Sequence, residues 1–296
     1  MSAMTHETEA TTATSTGPGA PRTQGRGKEF DRPRFLWLVT GLVLILMLTP
    51  IVTVAVYSFN AQNSLAVMDG WSLRWYRELA GDQDILASLR LSFWIALVAA
   101  VTATVLGTLL AFGLQRGRPA VARTGQSLIF LRLVSPETAL GVALLLMFTQ
   151  LGVELSLTTV VIGHVALCTA FVTVVVRSRL VAIAAEVEDA ALDLGARPWQ
   201  AIWLVVLPLL RPAIITSALL SFVLSFDNFI TSYFTSGLGV APLPVRIYSM
   251  IRFGVTPEIN AIGILMLLLT VACVALAALL PRLFRRRSYL AEVSTK

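Results

Sequence analysis

Apolar and charged positions alternate along this chain in long blocks. Residues 35–59, 91–114 and 259–280 contain no Asp, Glu, Lys or Arg. About 20 apolar residues in a helix cross a hydrocarbon layer roughly 30 Å thick, so each block is long enough to span a membrane. Six spans are predicted in all, at about 35–58, 88–115, 127–150, 156–177, 209–233 and 258–281. The third and fifth are less pure, because Arg132 and Glu137 interrupt one and Asp227 the other. The pattern predicts an all-α integral membrane protein with six transmembrane helices.

What precedes and follows the spans is different in kind. Residues 1–34 are rich in Thr, Ala, Gly and Pro, with no aromatic before Phe30, and read as a disordered cytoplasmic tail. No A-x-A-like site closes the first apolar run, which is expected to be a retained span and not a cleaved signal. Residues 35–285 then form the membrane domain and 286–296 a cytoplasmic C-terminal tail.

Composition closes off other classes. Of 296 residues, 56% are hydrophobic and 14% charged, against about 25% charged in a soluble domain. Soluble enzymes, disordered chains and fibrous proteins are excluded. The net charge of +6 reflects loop arginines and lysines and not nucleic-acid binding. Arg22, Arg26, Lys28, Arg32, Arg34, Arg116, Arg118, Arg123, Arg177, Arg179, Arg197, Arg211, Arg282, Arg285, Arg286, Arg287 and Lys296 fall on one side of the predicted spans. Arg74, Arg77, Arg90, Arg246 and Arg252 fall on the other. By the positive-inside rule both termini are cytoplasmic. The preference for arginine over lysine suggests a bacterial source, hence the inner membrane.

Two outer loops stand out. Residues 59–87 hold Trp71, Trp75 and Tyr76, which suit an interfacial position. Residues 234–257 mix Gly237, Gly239, Pro242, Pro244 and Pro257 with apolar residues, a density that opposes a continuous helix. A re-entrant or capping loop and a simple surface loop are both compatible with it.

Residues 180–208 are cytoplasmic by charge yet too apolar for a solvated connector. Ala184 to Leu194 predicts a helix, Gly195 its left-handed cap, and Pro198 the start of a second short helix, with Pro208 turning the chain before the next span. Glu186, Glu188, Asp189 and Asp193 stand beside small Ala190 and Ala191, while Val187, Leu192, Leu194, Trp199, Ile202 and Trp203 would be left in water. Such a surface suits docking.

The spacing Asp189-Ala190-Ala191, three residues, Gly195, nine residues, Val205, one residue, Leu207-Pro208 resembles the E-A-A-x3-G-x9-I-x-L-P loop of binding-protein-dependent ABC importer permeases. The stretches 71–79, 134–148 and 225–261 are similar to spermidine/putrescine-type permeases. The resemblance implies a type I importer permease fold with a cytoplasmic coupling helix, in which Glu188, Asp189, Ala190, Ala191, Gly195, Val205, Leu207 and Pro208 engage a separate ATPase. It also implies a second permease subunit, an extracytoplasmic substrate-binding protein and polyamine cargo. ATP would be bound by the partner. Lys28 is followed by Glu29 and no Ser or Thr follows Lys296, so no phosphate-cradling Walker lysine is available here.

Ionisable groups at bilayer depth tend to face a cavity or a partner. Glu137, Asp227 and Asn228 are candidates for a substrate pathway, since carboxylates would offset the lost hydration of ammonium nitrogens. The family often carries a second acid where this chain has Asn228. For Glu137 the competing reading is a structural pair with Arg132 or a helix-end contact. His164, within the fourth span, reads as a hydrogen-bonding group between helices, with no metal ligands beside it. Cys168 and Cys273 read as buried hydrophobes, and Gly107, Gly113, Gly141 and Gly163 as close-packing positions. Rival readings are the same architecture carrying iron, phosphonate or another solute, an ion-driven carrier, and an intramembrane serine hydrolase; the carrier lacks a visible internal repeat and the hydrolase has only His164 to support it.

Overall fold

The computed structural model describes residues 34–63, 67–183 and 185–293. Of the tail expected at 1–34, all but Arg34 lies outside the described residues, as do Ala184 and the side chain of Glu186. The regular structure among the described residues is helical, with one isolated antiparallel bridge between Asn60 and Trp71. Two units divide at Thr49 and Pro50. The first carries the opening turns of α1 (Arg34–Tyr57), apolar around nearly its whole circumference, as a lipid-facing helix must be.

The second unit continues through α2 (Arg74–Gly81), α3 (Gln83–Arg116), α4 (Pro119–Val134), α5 (Glu137–Gln150) and α6 (Leu157–Ala182). The short α7 (Ala185–Asp193) and α8 (Pro198–Ala201) precede a π-helical turn, Ile202–Val206. Then come α9 (Leu207–Phe226), α10 (Phe229–Thr235), α11 (Leu243–Phe253) and α12 (Pro257–Val293). Five helical segments are long and apolar enough to cross a membrane, and α4 with α5 makes a sixth if the bent pair counts as one span.

α3, α6 and α9 pack on one another. Ala103 and Ala111 of α3 meet Cys168, Val172 and Val176 of α6, with Val206 and Leu210 closing the cluster. In lipid, close approach and not the expulsion of water drives such packing, so small residues sit at the crossings. A Cβ on Gly107 would lie 2.7 Å from the Val172 side chain, one on Gly163 2.7 Å from Thr231, and one on Gly141 2.6 Å from Phe234. Gly113 differs from expectation: a Cβ there meets open space, so it marks no crossing. A second cluster gathers Trp75, Leu79, Ile85, Leu243, Ala261 and Ile262 at the N-terminal end of α3.

Several boundaries depart from the sequence pattern. The third run is two helices bent by 110° at Ser135 and Pro136, because the proline ring excludes the α region at the residue before it. The fifth run ends at Phe226 and restarts as α10. Pro208 does not turn the chain. Helix continues from Pro198 to Phe226, and Leu207 N–H reaches back five residues to Ile202. That wider turn accommodates a proline that can neither donate nor pack against the carbonyl four residues earlier. Pro242 and Pro244 open α11 instead of opposing a helix, since a proline in the first turn loses no bond. Trp75 is buried beneath α11 and α12, not interfacial, and its indole N–H donates to the Asn60 carbonyl at 2.7 Å. α12 runs on to Val293, past the expected end of the last span.

Candidate functional site

Two helix breaks meet in the second unit. At the first, Ser135 is extended (φ −64°, ψ 137°) and α5 begins with Glu137 in its opening turn, where a negative charge suits the helix dipole. At the second, Asn228 caps α10, its Oδ1 accepting from Thr231 N–H at 2.8 Å. With Oδ1 committed, the amide nitrogen is free to donate, and it donates to the Glu137 carboxylate. Asp227 is held from another direction, its Oδ2 accepting from Thr270 on α12 at 2.8 Å.

These groups share a cavity of about 600 Å³ lined by Arg132, Glu137, Leu167, Phe171, Asp227 and Asn228, among others. The three sequence candidates are thus brought together. No direct ion pair joins Glu137 to Arg132 among the described residues, though the two charges interact through space; the helix-end contact is present, with Glu137 in the first turn of α5 against the Asn228 amide. Two carboxylates, one guanidinium, an amide and the Ser135 hydroxyl on a mostly apolar wall can offer both charge and hydrogen bonds to a small polar solute. No group of His, Cys, Asp and Glu able to hold a metal ion occurs among the described residues.

Behind the cavity, His164 is buried, and its ring nitrogens lie 2.6 Å from Ser225 Oγ and 3.0 Å from Ser232 Oγ. Thr159, in the first turn of α6, donates to the Thr235 carbonyl at 2.8 Å. α10 is therefore stitched to α6 at its middle and at its C-terminal end. Sequence reading placed His164 between helices but had no means to name partners 61 and 68 residues away.

The loop 180–208 makes the second candidate surface. α7 closes with Gly195 N–H bonded to Leu192 O and Ala196 N–H to Ala191 O, a Schellman closure with Gly195 at φ +88°. A Cβ on Gly195 would meet nothing within 4 Å, so glycine is required there by backbone conformation and not by crowding. Asp189 and Ala190 are exposed, while Ala191, Val205, Leu207 and Pro208 are half-buried. Glu188 turns inward and accepts a bidentate contact from Arg116 at the end of α3, at 2.8 and 2.7 Å. Leu194 is 90% exposed, Trp203 64% and Trp199 57%, an apolar patch that is costly to leave uncovered.

The chain matches the family of binding-protein-dependent transport system inner membrane components over residues 103–288. It is 38% identical over 240 residues to the putrescine transport system permease protein PotI of Escherichia coli K12, covering 78% of this chain and 85% of that one. It is 34% identical over 253 residues to the spermidine/putrescine transport system permease protein PotC of Haemophilus influenzae, covering 86% and 97%. Among solved structures the fold is similar to an amino acid ABC transporter chain, with TM-score 0.55, 17% identity, and 67% and 92% of the two chains covered. It is also similar to a chain of the MetNI methionine ABC transporter in an inward-facing conformation, with TM-score 0.53, 18% identity, and 69% and 98% covered.

Proposed function

The chain belongs to the family of binding-protein-dependent transport system inner membrane components and is the permease of an ABC importer, and we propose that the solute it carries is a polyamine such as putrescine or spermidine. The observation that carries this reading is the meeting of Glu137, Asp227 and Asn228 in one cavity at two helix breaks. A polyamine nitrogen is cationic at neutral pH, and leaving water costs it several kcal/mol unless carboxylates replace the lost contacts. Irregular backbone at membrane depth is tolerated where it lines such a cavity. The relatives named for putrescine and spermidine transport support the same cargo.

In this reading the chain works in a bacterial inner membrane with both termini cytoplasmic, beside a second permease subunit. An external binding protein delivers the polyamine. Each ATPase receives the exposed loop around Asp189, Ala190 and Ala191, with Leu194, Trp199 and Trp203 covered by the docked partner. Motion then reaches the spans by two rigid routes. Glu188 pulls on Arg116 at the end of α3, and α8 runs without interruption through the π-helical turn into α9. α9 ends at Phe226 with Asp227 as its C-cap, so ATPase closure is transmitted to the cavity that holds the cargo.

Uptake of radiolabelled putrescine by the intact transporter tests the reading. Glu137→Gln and Asp227→Asn should each raise the apparent KM about tenfold or more, with normal amounts of protein in the membrane. Wild-type KM in both variants, or no polyamine uptake by the wild type, would overturn it.

A further inference from the structure

His164 is a fully buried titratable side chain on α6 that neither the cavity acids nor the loop contacts use. It is 1% exposed, yet both ring nitrogens are engaged. Ser225 closes α9 and Ser232 lies in the opening turns of α10, so a single imidazole bridges the break between those helices.

Ser232 Oγ lies 2.8 Å from the Asn228 carbonyl, within donating reach. With its one hydroxyl proton placed there, its oxygen accepts from His164 and the ring proton falls on Nε2. The bare Nδ1 of that neutral ring then accepts from the Ser225 hydroxyl; the other tautomer would reverse both bonds. The network continues beyond Ser232. Asn228 is held by its carbonyl from one side and by its cap bond to Thr231 from the other, and its amide points at Glu137.

We propose that His164, as the neutral Nε2–H tautomer, is a positioning residue: it sets the break between α9 and α10 and so holds the Asn228 amide on the Glu137 carboxylate. The ring touches no substrate. It acts through Ser232, and the functional arm of its test rests on the polyamine reading given above.

One measurement is independent of cargo. The sequence has two histidines, His6 and His164, so the full chain carrying His6→Gln and ¹⁵N-histidine reports His164 alone. At neutral pH its spectrum should show a protonated Nε2 and an unprotonated Nδ1, and Ser232→Ala should move the Nε2 signal while leaving Nδ1 bonded. A ring found as the Nδ1–H tautomer or doubly protonated overturns the proposal.

The second arm uses side-chain reach. Glutamine at 164 extends an amide N–H to about the place of Nε2, whereas asparagine reaches only the place of Nδ1. Putrescine uptake by the assembled transporter should show His164→Asn raising the apparent KM about fivefold with little change in Vmax or membrane level, and His164→Gln staying within about twofold of wild type. The asparagine effect should vanish when Glu137 is already Gln, because the two changes break one linkage. A loss of membrane protein with unchanged KM, or equal effects of Asn and Gln, overturns it. A wild type that takes up no putrescine counts against the polyamine reading, while the tautomer measurement, which does not depend on the cargo, still overturns the proposal if the Nδ1–H form is found.

Discussion

Gly195 gives a prediction in which the cause can be isolated within the chain. Its φ of +88° lies where a side chain strains the backbone, and a Cβ there meets nothing within 4 Å. The cost of a substitution is therefore conformational: about 1 kcal/mol for alanine and about 2 kcal/mol for valine, with asparagine close to neutral. Little in the loop can absorb that strain. α7 has nine residues, too few to persist alone, and Leu194, Trp199 and Trp203 are exposed. Since 1.4 kcal/mol is a factor of ten, valine should depopulate the Schellman closure by roughly 20-fold or more. Uptake of putrescine and substrate-stimulated ATP hydrolysis, measured on the assembled transporter in proteoliposomes, should fall by about tenfold for Gly195→Val. Gly195→Asn should stay within about twofold, and Gly195→Ala should fall between them. All three should reach the membrane normally. Asparagine failing as badly as valine would mean that bulk against the partner matters and not backbone conformation, and wild-type coupling in the valine variant would refute the reasoning.

Reversing one member of the Arg116–Glu188 pair puts like charges in bidentate contact; with both side chains about a third exposed, the pair is worth about 1 kcal/mol. Arg116→Glu should lower uptake severalfold and the double reversal with Glu188→Arg should recover most of it, though not all, because Arg116 also stacks on Phe112. Gly107→Ala should lower the unfolding midpoint of the purified chain, costing about 1–3 kcal/mol for a Cβ 2.7 Å from Val172. Gly113→Ala, with open space around it, should raise the midpoint through helix propensity, by up to about 1 kcal/mol. Asn228→Asp keeps the α10 cap but sets a carboxylate against Glu137 where the donor stood, so it should change uptake and also lower stability while both acids are ionised; Asn228→Ala should cost about 1 kcal/mol of stability, as a lost cap does.

The membrane class was legible because lipid demands long uncharged runs, and a hydropathy pattern reads those directly. The breaks inside the runs were not. Averaging over some 20 residues carries straight across Ser135–Pro136 and Asp227–Asn228, although the local signals, a proline and an N-cap asparagine, stand in the sequence. Proline misled in two other places: Pro208 lies inside continuous helix, where the wider π-helical turn before it accommodates the ring, and Pro242 is the N-cap of α11, where a missing N–H costs nothing. Trp75 was read by its residue type, which is common at interfaces, while its burial depends on α11 and α12 folding over it. The acids could be named as candidates from their depth alone. Their grouping with Asn228, and the partners of His164 and Glu188, are contacts between residues 61 to 91 positions apart, and no local pattern encodes them.

The two breaks also explain why the polar residues cluster where they do. Each interruption of a helix at membrane depth leaves backbone donors and acceptors that lipid cannot satisfy. Here side chains satisfy them: Asn228 caps Thr231, Ser232 bonds the Asn228 carbonyl, and Thr159 bonds the Thr235 carbonyl. An interrupted helix thus brings its own polar groups, and placing two interruptions side by side lets one amide serve both, as cap for α10 and donor to the first turn of α5. The cavity wall is built from that shared set. A charged solute entering it meets groups already fixed by the need to close the backbone, which keeps the reorganisation on binding small. The same economy ties the site to the fold: α9 ends at the break that carries Asp227 and starts α10, so in the proposed mechanism a shift of α9 at the loop would reach the carboxylates without any dedicated relay between them.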